Sequence, residues 1–203
     1  MELALAWLAA VTTGLESIVI KMTSRSLVRS PWLFNVLWLA FALPLIMALA
    51  VAQGGGIPKD WSSLLLLSLS SAGFYVFYTV AIYKIDVSTM SPLFSIRTIF
   101  AVLLGMLLLG EKVSVLGIAL MAITILASPL ASYDEHLRLK AFLHKHVLLA
   151  ILAMISLAFM GYFTNPSVEH NGYATTILWQ DVTTLVMLLP TLKLVNWKRE
   201  KIR

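Results

Sequence analysis

The chain has 203 residues, 60% hydrophobic and 12% charged, with a formal charge of +5 and no cysteine; its mean hydropathy is +0.89. Soluble domains carry about 25% charged residues, so this composition excludes an ordinary water-soluble fold. The missing cysteines exclude a disulfide framework, a thiolate nucleophile and cysteine-ligated zinc or iron–sulfur centres. The positive charge does not point to nucleic acid, because the basic residues lie between long apolar blocks and in the tail, as on the cytoplasmic flanks of membrane helices.

A bilayer core about 30 Å thick needs roughly 20 apolar residues per spanning helix. Seven blocks meet that length approximately: 3–20, 32–52, 62–83, 87–109, 113–131, 147–164 and 173–195. No amphipathic segments remain to wrap seven apolar helices in water, so the expected fold is all-α, a polytopic transmembrane helical bundle. The lipid bilayer is its first partner, and nucleic acid is not one.

The first block has no basic leader and no small-residue cleavage site after it, so it reads as a retained helix rather than a signal peptide. It carries Glu16 near its basic end, where snorkelling to the interface is the plain alternative to a pathway role. The second block holds Asn35 and Pro44. The third places Ser68, Ser70, Ser71, Ala72 and Gly73 together, small enough to let a neighbouring helix approach closely. Tyr75 and Tyr78 follow three residues apart, hence on one face. They could line a solute cavity, whereas Tyr83 reads as part of an interfacial aromatic belt.

The fourth block, PLFSIRTIFAVLLGMLLLGEK in its later part, sets Arg97 in an otherwise apolar run five residues after Pro92. A charge near the bilayer centre costs about 2.5–3.5 kcal/mol on insertion scales, and such residues usually face a bundle interior or wet cavity. Proline removes one helical hydrogen bond and frees a carbonyl, which membrane helices tolerate where something else satisfies it. Pro44 and Pro190 occupy comparable interior positions in the second and seventh blocks. The seventh block adds Gln180 and Asp181.

Glu16, Arg97 and Asp181 are thus the intramembrane charges. They either line one aqueous path or form a buried pair that fixes packing. His136, His144 and His146 in the polar loop 132–146 read as a solvated basic loop rather than a metal site. Metalloprotease H-E-x-x-H spacing, a G-x-S-x-G serine and a phosphate-binding G-x-x-x-x-G-K-[ST] run are all absent. Neither a cofactor nor a metal is expected, and neither is enzymatic activity.

Loop charges sort to two ends. Lys21, Arg25, Arg29, Lys84, Arg138, Lys140, Lys145 and the tail NWKREKIR fall on one end; Lys59 with Asp60, Glu111 with Lys112, and Glu169 fall on the other. The positive-inside rule makes the first end cytoplasmic and puts the amino terminus outside.

The run STMSPLFSIRTIFAVLLGMLLLGEKVSVLGIALMAITILAS resembles the end of an EamA-type repeat of the drug/metabolite transporter superfamily. The matching positions are Pro92, Gly105, Gly110-Glu111-Lys112 and Gly117, with Gly14 and Lys21 a weaker match in the first helix. Physically, Gly110 can end the fourth helix in a backbone conformation other residues avoid. Glu111 would then suit the amino-terminal end of the fifth helix as a structural cap. The resemblance implies two inverted five-helix repeats with solute held between them near the midplane. It divides the chain into a first repeat at 1–131, a connecting loop at 132–146, and the first two helices of a second repeat at 147–203. Ser30-Pro31 to Leu37-Trp38 lies over Asn171-Gly172 to Leu178-Trp179, sharing the terminal Leu-Trp pair.

Ten helices are usual in the family, so the chain is expected to be a fragment, with completion as a homodimer the alternative. Where relatives often carry an arginine early in the second helix, this chain has Asn35, and relatives typically start in the cytoplasm, opposite to the loop count. The implied function is a gradient-coupled secondary transporter, a permease or exporter of small metabolites or drug-like solutes, in the cell (inner or plasma) membrane. Its expected pathway residues are Arg97, Glu16, Asp181, Gln180, Tyr75, Tyr78 and Asn35. A non-transporting scaffold or regulatory subunit is the main alternative, and an intramembrane enzyme the lesser one.

Overall fold

The structure is a computed structural model, and it describes residues 2–108, 110, 112–131, 145–198 and 200. Among these residues there are seven α-helices and no strand. They are α1 (Glu2–Ser26), α2 (Pro31–Ala52), α3 (Trp61–Lys84), α4 (Val87–Leu108), α5 (Val115–Ala131), α6 (Lys145–Asn171) and α7 (Tyr173–Leu188), followed by a 3₁₀ segment at Leu189–Leu194. Among the described residues, Pro31–Ala52, Trp61–Lys84, His146–Asn171 and Tyr173–Leu194 are long and apolar enough to cross a membrane. Large aliphatic and aromatic side chains, including Trp7, Phe41, Leu107 and Val115, stand exposed on the outside. That is the surface of a protein solvated by lipid chains, and the chain is a multi-pass integral membrane protein.

The centre of the bundle is the antiparallel pair α3 and α6, whose contact is the most extensive in the molecule. Small residues make it so. A Cβ at Gly73 would lie 3.0 Å from Ser156 Oγ, so the two backbones approach at glycine distance. Ala81, Ala150, Ala153 and Met154 fill the seam and are fully buried. Helix α4 packs on α6, α7 packs on α2 and α3, and α5 lies outside against α4.

Local chemistry fixes the helix ends. Pro31 opens α2, where its missing N–H is no loss. Asp60 caps α3, accepting from the backbone N–H groups of Ser62 (3.0 Å) and Ser63 (3.4 Å). These hydrogen bonds, with that from the Ser62 hydroxyl, hold the Asp60 carboxyl down at about 2. Gly110 has φ +65°, the left-handed conformation that lets the chain turn sharply after α4.

Three expectations need correction. The apolar block 147–164 understates α6, which continues through Pro166 to Asn171. It does so because Asn171 is anchored across the bundle: its Oδ1 accepts from Lys59 N (2.7 Å) and Asp60 N (2.8 Å), and its Nδ2 donates to Asp60 O (3.0 Å). Second, Pro190 lies outside the α-helical part of its block; α7 ends at Leu188 and continues as the 3₁₀ helix Leu189–Leu194, with Pro190 in its first turn. There its fixed φ suits the geometry and its missing donor is not needed. Pro44, by contrast, does sit inside α2. Third, α5 starts at Val115 rather than 113, and its first-turn cap is Ser114, whose Oγ accepts from Gly117 N at 3.1 Å. Glu111 lies outside the described residues, as do His136 and His144.

The two ends of the bundle are chemically distinct. At one end Lys21 Nζ donates to Ile82 O (2.9 Å) and Ile85 O (2.8 Å), capping the carbonyl end of α3. Tyr83 donates to Val28 O there at 3.0 Å, so its hydroxyl ties loop to helix rather than hanging in the interface. Glu200 accepts from Arg29 N at 2.8 Å and so holds the tail to the same end. The opposite end is closed by the Asn171 clasp, by Gly56 N donating to Thr175 Oγ1 (3.0 Å), and by Trp179 Nε1 donating to Gly56 O (2.8 Å).

Candidate transport site

The intramembrane polar residues divide into two places. The first is a layer around Tyr75 on α3. Tyr75 packs against Phe74 with ring centroids 5.9 Å apart, and its backbone carbonyl accepts from Asn35 of α2 at 3.1 Å; Asp181 on α7 and Glu16 on α1 are the acidic residues of the same bundle. The Tyr78 hydroxyl shares a 2.8 Å hydrogen bond with Ser17 of α1. Tyr78 is stacked on Phe74 with centroids 5.0 Å apart and meets Phe94 of α4 edge-on at 5.9 Å. Both carboxylates are half-buried, and among the described residues neither is ion-paired with a cationic side chain. A gap of about 350 Å³ between α1 and α4, lined by Thr13, Gly14, Ser17, Met90 and Phe94, opens beside the Ser17–Tyr78 bond.

Depth along the helices can be read from the rise of about 1.5 Å per residue. Glu16, Tyr75 and Arg97 each lie about 14–15 Å from the basic end of α1, α3 and α4 respectively. Asp181 lies about 12 Å in from the opposite end. All four therefore lie two or more turns in from those helix ends.

The second place is the seam between α4 and α6. Arg97 sits there, away from both acids, with its Nη2 at 4.0 Å from where a Cβ on Gly161 would stand. A cavity of about 200 Å³ opens beside it, with Tyr162 and Asn165 on the α6 wall and Gly105 on the α4 wall. Arg97 is exposed, and among the described residues it forms no ion pair with Glu16 or Asp181. Tyr162 and Asn165 were not picked out by sequence reasoning. The signal was available: Ala158, Gly161, Tyr162 and Asn165 recur at helical spacing on one face, opposite Arg97, Ala101 and Gly105.

Two expected pathway residues are placed as helix-to-helix ties. Asn35 is 1% exposed; its Nδ2 donates to Tyr75 O (3.1 Å) and its Oδ1 accepts from Thr79 Oγ1 (2.6 Å). Gln180 donates to Ser71 Oγ at 3.4 Å. They stand behind the Tyr75 layer and position α2 and α7 against α3. Pro92 lies within α4, Gly105 is buried on the α4–α6 seam, and Gly117 sits in the first turn of α5.

Charged side chains without an ionic partner among the described residues, set in a bundle with an apolar outer face, mark a candidate functional site. The sequence profile of the EamA-like transporter family matches residues 1–133, and the chain belongs to that family. No curated protein matches it. The matched region contains Glu16, Asn35, Tyr75, Tyr78 and Arg97, whereas Gln180 and Asp181 lie beyond it.

Proposed function

We propose that this chain is a gradient-coupled secondary transporter, a permease or exporter of small metabolites or drug-like solutes, in the cell's inner or plasma membrane. The match ending at residue 133 supports a first unit at 1–131, joined through 132–146 to a second unit from 147 onward. The observation that carries the functional reading is a pair of half-buried carboxylates on two helices of the bundle, Glu16 on α1 and Asp181 on α7, with no cation paired to either among the described residues.

An ionised carboxylate at this depth carries a large desolvation cost. It can relieve that cost by taking a proton or by holding a cationic group. Exchange between those two states couples a proton to a solute, which is what a gradient-driven carrier requires. The gap between α1 and α4 gives a route from the surrounding phase to Ser17, which is bonded to Tyr78.

The test is flux into liposomes holding the purified chain after an imposed pH step, with a radiolabelled panel of amines and amino acids. Wild type is expected to move at least one of them, and Glu16→Gln or Asp181→Asn to reduce that flux by about 100-fold, the scale on which a proton-transfer group acts. Arg97→Gln is likewise expected to abolish flux while leaving membrane insertion intact. Equal flux through all four proteins would remove these residues from the pathway. Silence from the wild type across the whole panel would favour a scaffold, for which the bonds of Asn35 and Gln180 are the supporting observation.

A further inference from the structure

Arg97 raises a separate question, because it shares the depth of the Tyr75 layer without taking part in it. Its guanidinium carries five donors and no acceptor, and it stays charged at any physiological pH. Among the described residues no carboxylate pairs with it. Yet the seam beside it is shaped rather than closed. Ala101 and Gly105 on α4 face Ala158 and Gly161 on α6, and these four small residues leave the cavity of about 200 Å³ that the guanidinium borders. Larger side chains would have filled it.

Two further polar groups border the same space. Tyr162 and Asn165 follow Gly161 on the same face of α6, and the Tyr162 ring is held edge-on against Phe163 with centroids 5.1 Å apart. A phenol O–H and an amide N–H₂ supply donors beside a guanidinium fork. Among the described residues no acidic side chain lines the cavity. A concave site with this donor set and no competing negative charge suits a planar anion, and the planar, bidentate partner of a guanidinium is a carboxylate.

We propose that the α4–α6 seam is a binding site for an organic carboxylate, held by Arg97 with Asn165 and Tyr162, on a floor of glycine and alanine. As a half-site for a transported solute it rests on the transporter reading above; as a binding site it does not. The carboxylate could belong to a water-borne solute or to a membrane-borne acid, and the small-residue floor admits either head group.

Binding of radiolabelled benzoate to the purified full chain in phosphatidylcholine nanodiscs tests it, with benzamide as the uncharged isostere. Benzoate is expected to bind saturably and benzamide not to compete. Arg97→Gln should weaken binding by about 10-fold or more, the scale of a lost charge-assisted hydrogen bond. Arg97→Lys keeps the charge, loses the fork, and should fall between. Gly161→Leu fills the cavity beside an intact arginine and should also abolish binding, which separates the site from bulk charge attraction.

Benzamide competing as well as benzoate, or benzoate binding that survives both Arg97→Gln and Gly161→Leu, would overturn the proposal. Displacement of benzoate by acetate but not oleate assigns the site to water-borne solutes; displacement by oleate but not acetate assigns it to membrane-borne acids. Either result supports the site. Arg97-dependent binding in a protein that moves no solute would leave the site standing and sink the transporter reading. Proton-driven flux with no Arg97-dependent benzoate binding would do the reverse.

Discussion

Two polar seams cross this bundle, and they are built differently. Where α3 meets α2 and α7, the side chains are buried and matched. Ser68, Ser71, Asn35, Thr79 and Thr184 are all at or below 1% exposed. Ser68 and Thr183 hydroxyls lie within hydrogen-bond distance of each other, Thr184 donates to Ser68 O at 3.4 Å, and Asn35 is bonded through both ends of its amide. Where α4 meets α6, Arg97 and Asn165 are exposed and border a cavity. Polar groups in lipid must find partners. The first seam finds them inside the protein and holds helices together; the second leaves its strongest donor open to something else. Polarity in a membrane helix therefore does not mark function by itself; unmet polarity does.

The comparison breaks most readily at its two ends. Arg97→Gln is expected to abolish transport, with the protein's melting temperature in detergent shifted by no more than a few degrees. Asn35→Ala is expected to do the opposite: a loss of about 1–3 kcal/mol, from a cavity and an orphaned Thr79 hydroxyl, read as a lower melting temperature. If Arg97→Gln destabilises as much as Asn35→Ala, the two seams are the same kind of object and the distinction fails.

Much of the first seam's material was legible in the sequence, but its roles were not. Seven apolar blocks gave seven helices because length and hydropathy are properties of a segment alone. The small-residue run Ser68–Gly73 was readable as a close-packing face for the same reason. Which neighbour it met was not readable, since that depends on how α6 and α7 return across the bundle. Asn35 looked like a pathway residue because a buried amide and a solute-facing amide are spelled alike. Only its partners, Tyr75 O and Thr79 Oγ1, tell them apart. Asn171 is the converse case: a polar residue past an apolar block reads as loop, yet its bonds to Lys59 and Asp60 extend the helix. Lys21, read in the sequence as a basic-end charge and as a weak family match, acquires a physical task as the cap of α3.

A smaller effect sharpens the same contrast at the α3–α6 crossing. Gly73→Ala places a methyl group 3.0 Å from Ser156 Oγ, so the helices must separate slightly or the serine must turn. The expected cost is about 1 kcal/mol, measured as a shift in the thermal midpoint. Gly161→Ala, on the neighbouring seam, sets its Cβ 4.0 Å from Arg97 Nη2, an ordinary contact. It should leave the midpoint within about 0.5 kcal/mol of wild type. Equal effects would mean that the α4–α6 seam is as tightly closed as its neighbour.

The smallest expected effect lies outside the membrane, at the cap of α3, where Asp60 accepts from the backbone N–H groups of Ser62 and Ser63 while the Ser63 hydroxyl is buried without a partner among the described residues. Hydrogen bonds from Ser62 and Ser63 hold the Asp60 carboxyl at about 2, below the roughly 3.9 of an unfolded aspartate. A depressed carboxyl contributes stability that is complete above the unfolded value and fades as pH falls through the folded one. The contribution should therefore be constant at neutral pH and decline between about pH 4 and pH 2. Asp60 lies at the surface and is partly exposed, so the change is slight and is best seen as a difference: the melting temperatures of wild type and Asp60→Ala should converge as the pH drops through that window. Curves that stay parallel down to pH 2 would mean that the charge on Asp60 contributes nothing, and that the Asn171 clasp on its backbone alone holds this end of the bundle closed.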